Sequence, residues 1–217
     1  MRPGESPATV TRVNSEPTDA VLVVRMASGD RDAFATVFRR HQATVFRFSR
    51  QMLGSKEAAE DVTQDVFIAL AQRAERYDAA RGSLSTYLYG IARHLVLQRH
   101  KCSHSRIEVD VDSATAEPAL MTASNPVDDI CRAQLVRELR VAILRLPVHY
   151  REVIVLCELN GLSYEEAASI IDCPVGTIRS RLSRGRQLLL ERCRSVMDLR
   201  DSPEVWKPCL TPTKNSC

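Results

Sequence analysis

Aromatic residues are scarce in this chain: phenylalanine, tyrosine and tryptophan make up 5% of its 217 residues. That argues against a core of stacked rings and for aliphatic helical packing, which a hydrophobic content of 44% can fill. No apolar run approaches the roughly 18 residues a membrane-spanning helix needs. The opening MRPGESPATVTRVNSEPTD carries prolines and acids where a secretory signal would carry an apolar stretch, so a cytoplasmic location is expected. The seven cysteines (Cys102, Cys131, Cys157, Cys173, Cys193, Cys209, Cys217) are odd in number and form no C-x-x-C pair. Reduced thiols fit that scatter better than a disulfide framework or a zinc site. There is no Gly-rich phosphate loop, no G-x-S-x-G and no H-E-x-x-H, and the histidines (His41, His94, His100, His104, His149) are dispersed. No catalytic set, metal or cofactor is expected, and the chain does not read as an enzyme.

Proline is also absent between Asp19 and Lys101, and no stretch alternates as a half-buried strand does. The fold class expected is all-α, as two small helical domains joined by a flexible linker. Residues 1–18 read as a disordered arm, 19–102 as a first helical domain, 103–128 as an acidic linker, 129–197 as a second domain and 198–217 as a flexible tail. In the first domain Asp30 to Leu53 sets Phe34, Val37, Phe38, Val45 and Phe46 at helical spacing. A helix opening near Glu57 has an apolar stripe of Val62, Val66, Ala69 and Leu70. Another from about Ser83 is expected to bury Leu84, Leu88, Ile91, Ala92 and Leu95. Helices resume over Ile130 to Leu146 and Tyr150 to Leu159.

Charge is unevenly placed although the formal net charge is only +3. Residues 20–102 hold 13 Lys/Arg against 8 Asp/Glu, residues 131–197 hold 11 against 7, and residues 103–130 hold one Arg against six acids. Two basic blocks joined by an acidic strap are suited to a polyanion partner. The clearest motif is GLSYEEAASIIDCPVGTIRSRLSRGR, Gly161 to Arg186. Ser163 and Glu166 form a capping box at the start of a short helix, and Pro174 suits the start of the next. At 100° per residue Val175, Ile178 and Leu182 share one arc, and Thr177, Arg179, Ser180, Ser183 and Arg184 the opposite one. From Pro174 to Arg194 there are six arginines and one acid, Glu191. A merely solvated face usually mixes signs, so this reads as the groove-entering helix of a helix-turn-helix.

The two blocks together resemble the extracytoplasmic-function class of bacterial RNA polymerase sigma factors. LPVHYREVIVLCELNGLSYEEAASIIDCPVGTIRSRLSRGRQLL is similar to the domain that reads the promoter −35 element. GDRDAFATVFRRH, EDVTQDVFIALAQ and RGSLSTYLYGIARHLVLQRHK follow the order of the −10 and polymerase-binding domain, and the likeness spans roughly residues 20–195. It implies that the chain directs promoter-specific initiation. Its partners would be the polymerase core (through the clamp helices of the largest subunit), promoter DNA and an anti-sigma factor that clamps the two domains together. It further implies that Glu60, Asp61, Gln64 and Asp65 face polymerase. By the same likeness Tyr77, Tyr87, Tyr89, Arg93, His94, Arg99 and Lys101 would take the −10 strand, by stacking and backbone charge. Thr177, Arg179, Ser180, Ser183 and Arg184 would read −35. One or two of the three tyrosines are expected to be buried instead.

The chain departs from the family at several points. Tyr87 stands where Trp is common, His94 where Asn is, and Cys157 where many relatives have Arg; Ser183 replaces a bulkier residue. The −10 and −35 preferences therefore cannot be transferred. The competing reading is a one-component helix-turn-helix regulator, which would need a sensor in the first block.

Overall fold

The computed structural model describes residues 17–102 and 126–201. The arm over 1–16, most of the linker and the end of the tail lie outside the described residues. Every regular element among those described is helical, in the order α1 (Asp19–Ala27), α2 (Arg31–Leu53), α3 (Lys56–Gln72), a 3₁₀ turn (Ala74–Arg76) and α4 (Leu84–Cys102). After the linker come α5 (Pro126–Leu144), α6 (Val148–Val153) running into a π-helical turn (Ile154–Leu159), α7 (Tyr164–Ile171) and α8 (Val175–Asp201).

Local chemistry sets the boundaries. Asp30 caps α2 by accepting from the amides of Asp32 and Ala33 at 2.9 and 3.0 Å. Those bonds, the one from Ala33 first, hold its carboxyl below the ordinary aspartate range. Gly54 ends α2 in the left-handed region at φ +80°, and Ser55 immediately caps α3 by accepting from Ala58 N. Any side chain at residue 54 would meet Leu144, since a Cβ built there lies 2.8 Å from Leu144 Cδ1. Glycine is therefore needed both for the turn and for the approach of α5.

α2, α3 and α4 pack on one another around Val37, Phe48, Met52, Val62, Val66, Leu70, Leu84, Leu88 and Ala92, all buried. The apolar stripes read from the sequence are this core, except that Phe34, Phe38, Phe46, Ala69, Ile91 and Leu95 are only half-buried. In the second half α6, α7 and α8 close around Val153, Leu156, Ala167, Ile178 and Leu182. The two halves do not stand apart: α4 lies against α7, and α2 against α5 and the π turn, in one continuous core.

A single buried arginine fastens this seam. Arg151, on α6, is 3% exposed. It donates to Met52 O at 2.7 Å, to Leu146 O at 3.1 Å and to Leu144 O. These are carbonyls at or just beyond the C-terminal ends of α2 and α5, where helix carbonyls lack intrahelical partners and carry partial negative charge. Arg151→Met keeps the apolar stem and removes every donor. Each stranded carbonyl costs about 1–3 kcal/mol, so urea unfolding should show a clearly lowered midpoint. Arg151→Lys should recover part of it, and an unchanged midpoint in the Met variant would contradict this role.

Candidate nucleic-acid and partner interfaces

The second half offers a preformed helix surface. The capping box is present: Ser163 N donates to Glu166 Oε2 at 2.9 Å and Glu166 N to Ser163 Oγ at 3.2 Å. The bonds that its carboxylate accepts from Ser163 N and then from Ser163 Oγ hold Glu166 below its ordinary range. α7 ends at Asp172 in the left-handed region, φ 59°, which turns the chain into α8. Ile178 and Leu182 face inward, and so does Gly185. A Cβ at residue 185 would come within 3.1 Å of Ile154 Cγ1, so glycine allows α8 to lie close on the π turn. Outward, Arg179, Ser180, Ser183 and Arg184 are exposed and Thr177 is half-buried. The Arg179 guanidinium sits 6.0 Å from the Tyr164 ring centroid, and Arg184 donates to Gln187 Oε1 at 3.2 Å. Arg186, beside them, is tied to Glu158.

α3 presents the acidic face. Glu60, Asp61 and Gln64 are exposed and Asp65 is 47% exposed at its side chain. Glu60 lies 3.8 Å from Lys56 on its own helix. Asp61 and Asp65 are engaged from α4: Arg99 Nη1 donates to Asp61 at 3.2 Å and Nη2 to Asp65 at 3.0 Å.

The residues assigned to the −10 strand fall into different surroundings. Tyr77 lies after the 3₁₀ turn and pairs with Tyr87, ring centroids 5.6 Å apart, both half-buried. Tyr89 is the buried one of the three, 4% exposed, edge-on to Phe48. It donates to Asn160 Oδ1 at 3.2 Å, and burial pushes its phenol up to about 12. Arg93 is committed to Glu152, Nε to Oε2 at 2.8 Å, with the carboxylate only 5% exposed. His94 is exposed and meets Gln98 at 2.9 Å, and Lys101 is exposed. Tyr89 and Arg93 thus bond across to the second half, Tyr89 buried and Arg93 partly exposed.

Sequence reasoning did not single out the groups across this seam: Arg151, Glu152, Asn160 and His100. The only signal was a charged pair, Arg151-Glu152, inside the apolar run from Val148 to Leu156. Cys157 is half-buried against the core, and burial pushes its thiol up. Among the described residues no group of acids, histidines and cysteines could hold a metal ion, and no helix is long and apolar enough to cross a membrane.

Comparison with known proteins gives two family matches: Sigma-70 region 2 over residues 37–106 and Sigma-70 region 4 over residues 136–189. The chain is 38% identical over 184 residues to the ECF RNA polymerase sigma-E factor of Escherichia coli K12, covering 79% of this chain and 92% of that one. It is 31% identical over 180 residues to the ECF RNA polymerase sigma factor SigW of Bacillus subtilis, covering 80% and 96%. Among solved structures it shares its fold with CnrH in complex with the cytosolic domain of CnrY, at a TM-score of 0.60 and 24% identity over 85% of this chain and 99% of that one. It also matches the sigma factor RpoE bound to the anti-sigma factor NepR from Bartonella quintana, at 0.56 and 24% over 74% and 96%.

The seam also carries a titrating group. His100 Nε2 lies 3.5 Å from Arg151 Nη1, and burial first, then that guanidinium, pulls its imidazole below the usual histidine range. The Met52 carbonyl and Glu152 oppose the shift and do not cancel it. A depressed histidine favours the packed state when neutral, so its stabilisation is present above the ordinary value near 6.5 and is lost as pH falls below it. Thermal unfolding should therefore fall between about pH 7.5 and 5.5 more steeply for the native chain than for His100→Gln. Equal slopes would remove His100 from the seam's pH response.

Proposed function

This chain belongs to the extracytoplasmic-function RNA polymerase sigma factors, and on that premise we propose how its surfaces divide the work. It binds RNA polymerase core and directs promoter-specific transcription initiation. In our reading residues 19–102 form the unit that holds the core and takes the −10 strand, and residues 129–197 the unit that reads −35. Glu60, Asp61, Gln64 and Asp65 on α3 meet basic groups of the largest-subunit clamp helices. Tyr77, Tyr87, His94 and Lys101, with Tyr89, Arg93 and Arg99 once released, line the path of the unpaired −10 strand. Thr177, Arg179, Ser180, Ser183 and Arg184 enter the major groove at −35.

The observation that carries this reading is the outer arc of α8. Two arginines and two serines lie exposed there with no acid among them, on a helix whose inner face is fixed by Ile178, Leu182 and Gly185. Guanidinium forks fit guanine edges, and the small hydroxyls let the backbone come near. The chain works as a binding factor in the cytoplasm and does no catalysis of its own. An anti-sigma protein holds it inactive by keeping the halves closed. The contacts of Tyr89 and Arg93 across the seam support that last step.

Two experiments test the assignment. Asp61→Lys with Asp65→Lys should sharply weaken copurification with polymerase core while helicity is retained. Full copurification by the folded double variant would take these residues out of the polymerase contact. Separately, Arg184→Ala or Arg179→Ala should relax −35 preference by about 1–3 kcal/mol in competition between promoter variants, as loss of a bidentate base contact does. An equal loss on every promoter, from both variants, would mean phosphate contacts instead.

A further inference from the structure

Arg99 is held by two carboxylates that the chain also offers to polymerase. Its Nη1 donates to Asp61 at 3.2 Å and to the Ala58 carbonyl at 3.4 Å, and its Nη2 donates to Asp65 at 3.0 Å. Asp61 and Asp65 are one helical turn apart, so one guanidinium fork spans both. The three side chains are 34%, 65% and 47% exposed for Arg99, Asp61 and Asp65. Pairs this open to water are weakly held, and a second cation can reach either carboxylate. With both terminal nitrogens on acids, however, Arg99 turns like charge toward any approaching phosphate. It cannot serve aspartates and a DNA strand together.

We propose that Arg99 is a shared positioning residue: in the free chain Asp61 and Asp65 withhold it, and a basic partner surface that engages those carboxylates releases it to a DNA phosphate. Occupation of the acidic face of α3 then adds one cation to the strand-binding face of α4 with no movement of either helix. The inference rests on the polymerase contact proposed above. Its test contains no polymerase, so either can fail alone.

The measurement is fluorescence anisotropy of the full chain with a short single-stranded DNA of mixed sequence, over a range of salt. Asp61→Asn with Asp65→Asn stands in for the engaged state, because it removes the hold and keeps side-chain shape. That variant should bind roughly threefold tighter at low salt, with a salt slope steeper by about 0.7, the mark of one further phosphate contact on a single strand. Adding Arg99→Gln should abolish the gain, whereas Arg99→Gln in the native background should change little. Glu57→Gln with Glu75→Gln removes the same charge at exposed residues that do not touch Arg99. It therefore measures the general electrostatic gain, which should be smaller and indifferent to Arg99.

Three results would overturn the proposal. Arg99→Gln could cost the same affinity in both backgrounds, which means Arg99 is never withheld. It could cost nothing in either, which means it does not meet DNA. Or the aspartate variant could gain no more than the glutamate control. Should Arg99→Gln fail to fold, Arg99→Lys replaces it. A single ammonium cannot span both carboxylates, so that variant should bind the strand more tightly than the native chain, and binding no tighter counts against the exchange.

Discussion

The most deeply buried polar side chain that joins the two halves is one arginine, Arg151. Arg151 is buried, and its stem and fork fill the corner where α5 turns into α6, so the carbonyls of Leu144 and Leu146 are satisfied from within the second half. The same fork reaches Met52, 99 residues away, at the end of α2. Burial lowers the guanidinium to about 10, which still leaves it charged at neutral pH. A buried cation with no carboxylate on it is costly unless several dipoles replace its water. Three C-terminal carbonyls do that, although Nε finds no partner among the described residues. Both the fold of the second half and its attachment to the first therefore depend on Arg151 being where α2 ends.

Other polar pairs also cross the seam, and this bears on whether it can open. Arg93 meets Glu152, Tyr89 and Gln51 meet Asn160, and Thr86 lies 3.5 Å from Glu166. Each of these groups can exchange its partner for water when the halves separate. A seam made only of Leu and Ile would expose apolar area on opening and stay shut. Interfaces between domains of one chain that carry such polar pairs resemble transient associations, although here an apolar core also runs through both halves. Glu166 takes part twice, capping α7 and facing Thr86, so the helix-turn-helix is anchored to α4 through the residue that starts it.

Much of this was legible in the sequence, and the illegible part has a common cause. α2 and α3 were readable from periodicity and α7 from the Ser163–Glu166 box, and the structure adds Asp30 and Ser55 as the caps of α2 and α3. The inner and outer arcs of α8 followed from spacing alone. Boundaries moved modestly, with α5 opening at Pro126, a residue type suited to a helix start, and α8 running on to Asp201. The π turn was not legible, since Ile154 to Leu156 reads as an ordinary buried helix. Nor was the fate of the three tyrosines on and beside α4. Spacing shows that some must be buried, but only the packing of Asn160 and Phe48 selects Tyr89. Arg93 and Arg99 read as free cations because their acids lie on other helices, 59 and 34 to 38 residues away.

That last point separates the two nucleic-acid surfaces. On α8 the basic groups are presented ready: Arg179 rests over an aromatic ring and Arg184 on a neutral amide, neither held by an acid. On α4 the corresponding groups are spoken for, Arg93 by a buried glutamate and Arg99 by two aspartates. A phosphate approaching Arg179 or Arg184 displaces no carboxylate from either. At α4 it must displace carboxylates that already neutralise the cations, and it brings like charge to them. Counterion release, the main source of strand affinity, scales with the cations actually available. The net charge of the first half therefore overstates what it can offer a strand while the seam and the α3–α4 pairs are intact. On the proposed assignment, strand capture at α4 depends on prior separation of charges that the fold itself holds together, whereas groove reading by α8 requires only that the helix reach its site.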